Sequence, residues 1–223
     1  MKRSVWRSAL RWAGYCVLFF YGFVILSLVL SKWVDPFTTS VQAERRIQSF
    51  FHSSDYRKQY NFVPLSRISP AFQHAVIAAE DARFYQHHGF DWKQVAIAAS
   101  DDLGGKRLRG ASTIDQQLAK NLFLTTSRSF VRKGIEATIV PLEELILGKR
   151  RILELYLNVV EWGPGIFGAD AAARRFYKIS AARITREEGA RLAAILPAPR
   201  RRKPAAMNNY SSRILVRMRQ MGW

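Results

Sequence analysis

The sequence predicts a mainly α-helical domain carried behind one membrane-spanning helix, and three observations predict it. One uncharged apolar run stands near the amino terminus, apolar positions elsewhere recur at helical spacing, and paired start and stop signals bracket those segments. Strand-like alternation is scarce, and no repeat occurs at solenoid periods. The 223 residues have room for one sizeable domain plus an anchor, and 48% apolar composition suffices for its core.

Residues 12–30 form the anchor: nineteen without a charge, close to the ~20 that cross a ~30 Å hydrocarbon layer. The expected span is 12–31. Lys2, Arg3, Arg7 and Arg11 make residues 1–11 a basic tail, while Lys32 and Asp35 follow the run. That bias holds the amino terminus in the cytoplasm and sends the remainder across. A cleaved signal peptide would carry a shorter apolar core and a small-residue exit. Here the exit reads Leu30-Ser31-Lys32-Trp33, with Trp12, Tyr15 and Trp33 at interfacial positions. The lone Cys16 lies inside the run, so no intrachain disulfide is possible.

Charge narrows the partners. Lys and Arg total 35 against 17 acids, a net +18, which calls for an anionic partner. Nucleic acid, phospholipid and a phosphorylated substrate all qualify. A domain tethered to the outer face of a membrane does not meet nucleic acid, which leaves membrane lipids or a lipid-linked phosphate.

Residues 32–64 read as a linker or irregular approach, with Pro36 and Pro64 as breakers, and the domain proper as 65–223. Ser69-Pro70 starts a helix through the apolar stretch 71–79. Asp91 with Gln94 starts another, ended by Leu103-Gly104-Gly105 and followed by a basic loop of Lys106, Arg107 and Arg109. Thr113 with Gln116 has capping-box spacing ahead of Leu118 and Leu122. Ser129 caps a longer helix up to Gly148, which Pro141 kinks. Further helices are expected at 149–159, 168–178, 186–196 (capped by Thr185 with Glu188 and stopped by Pro197) and 211–221.

Several segments carry polar groups that a helical core does not need. Glu80-Asp81-Ala82-Arg83-Phe84-Tyr85-Gln86-His87-His88-Gly89 sets two carboxylates, a guanidinium and two imidazoles at the end of an apolar helix. Burial there raises a carboxylate pKa toward a general base's working range, although a helix terminus with a local salt bridge accounts for the same residues. Residues 110–121 stack Ser112, Thr113, Gln116, Gln117, Lys120 and Asn121 at a helix start, where free N–H groups favour an anion such as a phosphate. Simple capping explains Thr113 and Gln116 but leaves Gln117, Lys120 and Asn121. Arg132 and Glu136 stand at i, i+4, a common and weak pairing. Beside Arg128 and Lys133 they would neutralise a diphosphate leaving group while Glu136 positions a cation or a hydroxyl. In 152–168 the leucines and Tyr156 read as core, with Asn158 and Glu161 as polar exceptions and the glycines serving backbone geometry. No Ser-x-x-Lys, Walker or dinucleotide fingerprint occurs, and no ligand set for a structural zinc.

In order and spacing, Glu80-Asp81-x-x-Phe84-x-x-His87-x-Gly89, Gly110-x-Ser112-Thr113-Ile114-x-Gln116-Gln117-x-x-Lys120-Asn121, Arg132-Lys133-x-x-Glu136 and Ile152-Leu153-Glu154-x-Tyr156-Leu157-Asn158 resemble the peptidoglycan glycosyltransferases of family 51, over roughly residues 65–200. With one anchor and no acylating-serine domain, the chain resembles the monofunctional members. It departs at Ala111, where Gly is usual, at Asp115, where Thr or Ser is usual, and at Pro141.

The resemblance implies a lysozyme-like two-lobed fold whose apolar edge dips into the bilayer, making Trp92, Val95 and Ile97 candidates for membrane contact. It implies polymerisation of lipid II, a disaccharide-pentapeptide on undecaprenyl pyrophosphate, into β-1,4-linked glycan with inversion, on the outer face of a bacterial cytoplasmic membrane. The partners it implies are lipid II, the growing glycan strand, membrane lipids and proteins of a cell wall synthesis complex. Glu80 would be the base for the acceptor 4-hydroxyl, and Asp81 would tune it or orient the acceptor. Glu136 would hold a divalent ion, Mg2+ or Mn2+. Lys120, Arg128, Arg132 and Lys133 would take the pyrophosphate, and Ser112, Gln117 and Asn121 would line the substrate path with Thr113 and Gln116. Phe84, His87, Gly89, Asn158 and Glu161 would shape the site. Two other classes fit some of the same residues. A lytic transglycosylase would cleave finished murein without needing the cations at 128–133. A non-catalytic scaffold would bind lipid II and not turn it over.

Overall fold

The computed structural model describes residues 2–51, 56–103 and 112–223. The fold class expected from the sequence is the one observed, helices in two lobes with a small sheet. Helix α1 (Lys2–Leu30) is followed by α2 (Ser40–Phe51), β1 (Gln59–Tyr60), α3 (Pro70–Glu80), α4 (Trp92–Leu103), α5 (Ile114–Phe123), α6 (Phe130–Leu147) and α7 (Lys149–Val159). Strands β2 (Glu161–Gly163) and β3 (Ile166–Phe167) precede α8 (Ala169–Tyr177), α9 (Arg186–Ala193) and α10 (Asn208–Gln220). The strand order is β1-β3-β2, with β1 parallel and β2 antiparallel to β3. The end of the helix predicted at Gly104-Gly105, the basic loop of Lys106, Arg107 and Arg109, and positions Gly110 and Ala111 lie outside the described residues.

Two apolar cores divide the molecule. The larger gathers α3 and α7 to α10 around Phe72, Tyr156 and Trp162, all fully buried. The smaller joins Val24 and Leu28 of α1 to Ala119 of α5 and to Ile139 and Val140 of α6. Helix α5 belongs to both, since Ile114 and Leu118 point into the larger core and Ala119 into the smaller. Amphipathic spacing puts apolar groups on two faces and leaves a third, carrying Gln117 and Lys120, for the cleft between the lobes.

Residues Arg7–Leu30 form a helix long and apolar enough to cross a membrane, about 36 Å at 1.5 Å per residue. Trp12, Tyr15 and Trp33 are exposed, as interfacial anchors would be. The helix is fastened to the domain at one end. Arg151 of α7 donates to the Ser31 carbonyl at 2.7 Å and to Asp35 at 2.8 Å, satisfying backbone groups that the helix terminus leaves open.

Several expectations are corrected in detail. The approach segment 32–64 is not irregular throughout, because it contains α2 and β1. The Thr39 hydroxyl accepts from the Gln42 N–H at 3.3 Å, as a helix cap does, and α2 packs along α5. Two buried positions, Val41 and Gln42, are too few to stand out as a period. Ser129 makes no side-chain cap, and α6 runs through Pro141 without ending. The Thr113–Gln116 and Thr185–Glu188 capping boxes are both formed. Helix α9 ends at Ala193, short of Pro197, and α10 begins at Asn208.

Candidate active site

Helix α3 delivers Glu80 at its last turn, where the chain leaves the larger core and reaches the cleft. The carboxylate is partly buried and accepts one hydrogen bond, from the Gln117 amide nitrogen at 2.8 Å. Gln117 is itself oriented. The Tyr156 hydroxyl donates to its Oε1 at 2.9 Å, which turns the amide nitrogen toward Glu80. Burial, and then the charges of Glu80 and Asp81, push the Tyr156 phenol well above its ordinary range, so it stays a donor. Burial also raises Glu80's proton affinity, against the Gln117 hydrogen bond and the positive charge of Lys120. A carboxyl so placed takes and releases protons closer to neutrality than a solvated one.

Asp81, one residue on, has a different occupation. It is buried and accepts from the Ile114 backbone N–H at 3.0 Å and from His87 Nε2 at 3.0 Å. Its charge sits on the amino terminus of α5, where the helix dipole favours an anion. The rest of that terminus is filled from within. The Gln116 side chain accepts from the Thr113 N–H, and the Thr113 hydroxyl accepts from the Gln116 N–H and donates to the Gly89 carbonyl at 2.6 Å. The expected phosphate dock at this helix start is therefore taken by the protein's own carboxylate and cap. Gly89 is required there, because φ is +83° and a Cβ would meet Val140 Cγ1 at 2.3 Å.

The cationic ground lies on α6 instead. Glu136 is buried and gripped by Arg132 at 2.7 Å and by Lys133, which also donates to the exposed Ser112 hydroxyl at 3.3 Å. Arg132 is braced on the Ser127 carbonyl at 2.7 Å. Lys120 stands between the two carboxylates, electrostatically coupled to Glu80 and to Glu136. Burial lowers its pKa, Glu136 and Glu80 oppose this, and Arg132 and Lys133 reinforce it. Asn121 is buried and donates to the Gln117 carbonyl within its own helix, and Arg128 is exposed. Glu80, Ser112, Gln117, Lys120, Arg132, Lys133 and Glu136 thus gather around one cleft. Thr113, Gln116 and Asn121 are spent on local structure, because each side chain already holds a backbone group.

The shaping residues are individually placed. Phe84 is buried beneath the Lys149 ammonium, 4.4 Å from its ring centre. Asn158 exchanges hydrogen bonds with both backbone groups of Val63, pinning the approach segment to α7. Glu161 is paired with Arg45 of α2 at 3.0 Å. Pairs so distant in sequence carried no spacing signal. The Tyr156 hydroxyl was also missed, although a phenol in a row of leucines was a hint.

A divalent ion does not fit Glu136 as the structure holds it, since two cations occupy its oxygens and a third, Lys120, stands near. Asp81, His87 and Asp115 offer three ligand atoms within 4.8 Å of one another, a set able to hold a metal ion. Lys149 already bonds both oxygens of Asp115, at 3.0 and 3.1 Å, and also binds Glu144 at 2.5 Å, so that position has a resident cation. Burial pushes Asp115 up to about 7, and the adjacent buried Glu143 goes well above its ordinary range.

The family model described as Transglycosylase matches residues 44–221, starting inside α2 and spanning both lobes. This chain belongs to the transglycosylase family. Relatives named biosynthetic peptidoglycan transglycosylase match nearly its whole length. One from Chromohalobacter salexigens is 43% identical over 100% of this chain and 97% of its own. Another, from Shewanella oneidensis, is 46% identical over 95% and 91%, and one from Pseudomonas syringae is 40% identical over 97% and 93%. As a transglycosylase family member, the chain carries its matched region after the apolar helix in sequence.

Proposed function

We propose that this chain is a membrane-anchored peptidoglycan glycosyltransferase that polymerises lipid II into β-1,4-linked glycan with inversion, releasing undecaprenyl diphosphate. The observation that carries the reading is Lys120, whose charge acts at once on Glu80, the candidate base, and on the Glu136 cluster that Arg132 and Lys133 clasp. Glycosyl transfer from a diphosphate needs both ends of that arrangement. Glu80 takes the proton of the acceptor 4-hydroxyl as its oxygen attacks the anomeric carbon. Lys120, Arg132 and Lys133 meet the charge that develops on the departing diphosphate, with Arg128 at the rim and Glu136 fixing two of those cations in place. Ser112 and Gln117 border the path between. Arg132 and Lys133 stand on Glu136 where an ion would bind, because they already hold its oxygens.

The membrane reading follows the same logic. The apolar helix is taken as a single-pass anchor with its amino terminus in the cytoplasm, residues 1–11 its tail and the domain outside the inner membrane of a bacterium. Trp92, Val95 and Ile97 of α4 are exposed and apolar, as side chains resting on lipid would be. Phe130 and Val131 at the start of α6 are exposed too, beside the cationic cluster.

Full-length protein in detergent, given labelled lipid II, tests the proposal. The expected product is glycan polymer that lysozyme digests. Release of soluble muropeptides from finished murein would point to a lytic enzyme instead. Binding of lipid II without turnover would leave only a scaffold.

A further inference from the structure

The carboxyl-terminal 35 residues, 189–223, contain eight Arg or Lys and no Asp or Glu. Four of the cations are consecutive, Arg200, Arg201, Arg202 and Lys203, and none of these four forms a salt bridge among the described residues. Uncompensated charge at this density raises the local potential and attracts an anion. The segment connects α9 to α10 and so belongs to the lobe of the larger core, whereas α1 packs on α6 in the other lobe. The cationic run thus stands on the larger lobe, while α1 shares the core of the smaller one and is tied to the larger only at its end, through Arg151.

A cavity of about 480 Å3 opens beside this run, lined by Arg202, Ala206, Met207, Asn208, Asn209 and Tyr210. Arg202 is held for use. It donates to the Ala194 carbonyl at 3.0 Å and lies 5.6 Å from the centre of the Tyr210 ring. Its remaining N–H groups are left to donate, and a guanidinium braced in this way loses little freedom on binding a carboxylate. The charge of Arg202 also acts on Glu80, as that of Arg200 acts on Glu161.

We infer that this cavity is a subsite for the carboxylates of the substrate's peptide stem, with Arg202 as the residue that reads them. The inference rests on the proposed use of lipid II. That substrate is anionic at two places, its diphosphate and its peptide. The diphosphate stays with the lipid and with the α6 cations, on the lobe whose core α1 shares. The peptide branches from the sugars and ends in a free carboxylate, so a cationic cavity on the opposite lobe matches its chemistry. Asn208 and Asn209 supply amides suited to peptide groups beside that carboxylate.

The test compares two substrates, lipid II with its natural stem and lipid II with every stem carboxylate amidated, using full-length protein in neutral detergent. The wild type is expected to show a KM roughly tenfold lower for the acidic stem, the scale of one charge-assisted hydrogen bond, with similar kcat. In Arg202→Gln that preference collapses toward unity, while the amide keeps a donor for the Ala194 carbonyl and the unfolding temperature stays close to wild type. Equal KM values in the wild type would overturn the inference, and this arm needs no variant to fold. If neither substrate is polymerised, the proposed function fails and the subsite with it. If both are polymerised at equal KM, only the subsite fails. The assay is repeated in phosphatidylglycerol vesicles. A loss in Arg202→Gln that appears only there, whichever stem is used, would assign the run to the bilayer and overturn the peptide reading.

Discussion

Glu80 and Glu136 face the same cleft from surroundings that differ in kind. Glu80 receives one neutral hydrogen bond, from an amide that Tyr156 holds in position, and burial raises its proton affinity. Glu136 is clasped by Arg132 and Lys133. A carboxylate with one neutral partner is free to gain and lose a proton, whereas one locked between two cations organises them. The contrast divides the labour: proton chemistry at the end of α3 and charge stabilisation on α6, with Lys120 between.

The strongest way to break the comparison is to remove Glu80 and, separately, the cations that clasp Glu136. Glu80→Gln is expected to lower kcat on lipid II by about 10²–10⁴, the span of general base catalysis, with KM little changed. Removing the clasp, Arg132→Ala with Lys133→Ala, is expected to cost about 10²–10³ in kcat in a steady-state polymerisation assay. It leaves Glu136 buried and unpaired, so thermal unfolding is run alongside. Tyr156→Phe sharpens the contrast at smaller scale. It removes one hydrogen bond, of about 0.5–1.5 kcal/mol, and frees Gln117 to turn, so a loss of about two- to tenfold in kcat/KM is expected with the fold intact.

Much of this cleft was legible beforehand because it is written locally. Glu80 at a helix end, Gln117 and Lys120 on one helical face, and Arg132 with Glu136 at i, i+4 all follow from spacing within one element. What was hidden joins distant residues. Arg45 and Glu161 are 116 positions apart, and Arg202, whose charge acts on Glu80, stands on a segment far from it in sequence. The phosphate dock was misjudged for a related reason. Asp81 lies 33 residues before the Ile114 N–H it occupies, and nothing in the capping-box spacing reveals that the helix start is already filled. Asp115 illustrates how a departure from pattern becomes intelligible. Its acid is matched by Lys149 from another helix, which also pairs with Glu144, a compensation visible only in three dimensions.

That buried acid cluster also separates activity from stability. Asp115 is pushed up to about 7 when folded, against about 4 in an unfolded chain, so the folded state binds its proton more tightly. Its stabilising contribution is present below pH ~4 and is lost as pH rises through 7. Thermal unfolding of the wild type should therefore fall over that window, and Asp115→Asn should flatten the slope while polymerisation changes less. Gly168→Ala is the structural control. With φ at +88° and a Cβ that would meet the Asn158 carbonyl at 2.6 Å, it is expected to destabilise by about 1–3 kcal/mol in chemical denaturation.

The pH dependence of kcat/KM on lipid II, in the wild type and in Glu80→Gln, tests the division of labour most directly. Glu80 must be ionised to accept a proton, so the wild-type rate should rise with pH through an apparent pKa above the ordinary carboxylate range. In Glu80→Gln that acid limb should vanish along with at least a hundredfold of the rate, within the span expected of a general base. An unchanged limb in Glu80→Gln, or polymerisation at the wild-type rate, would contradict Glu80 as the base.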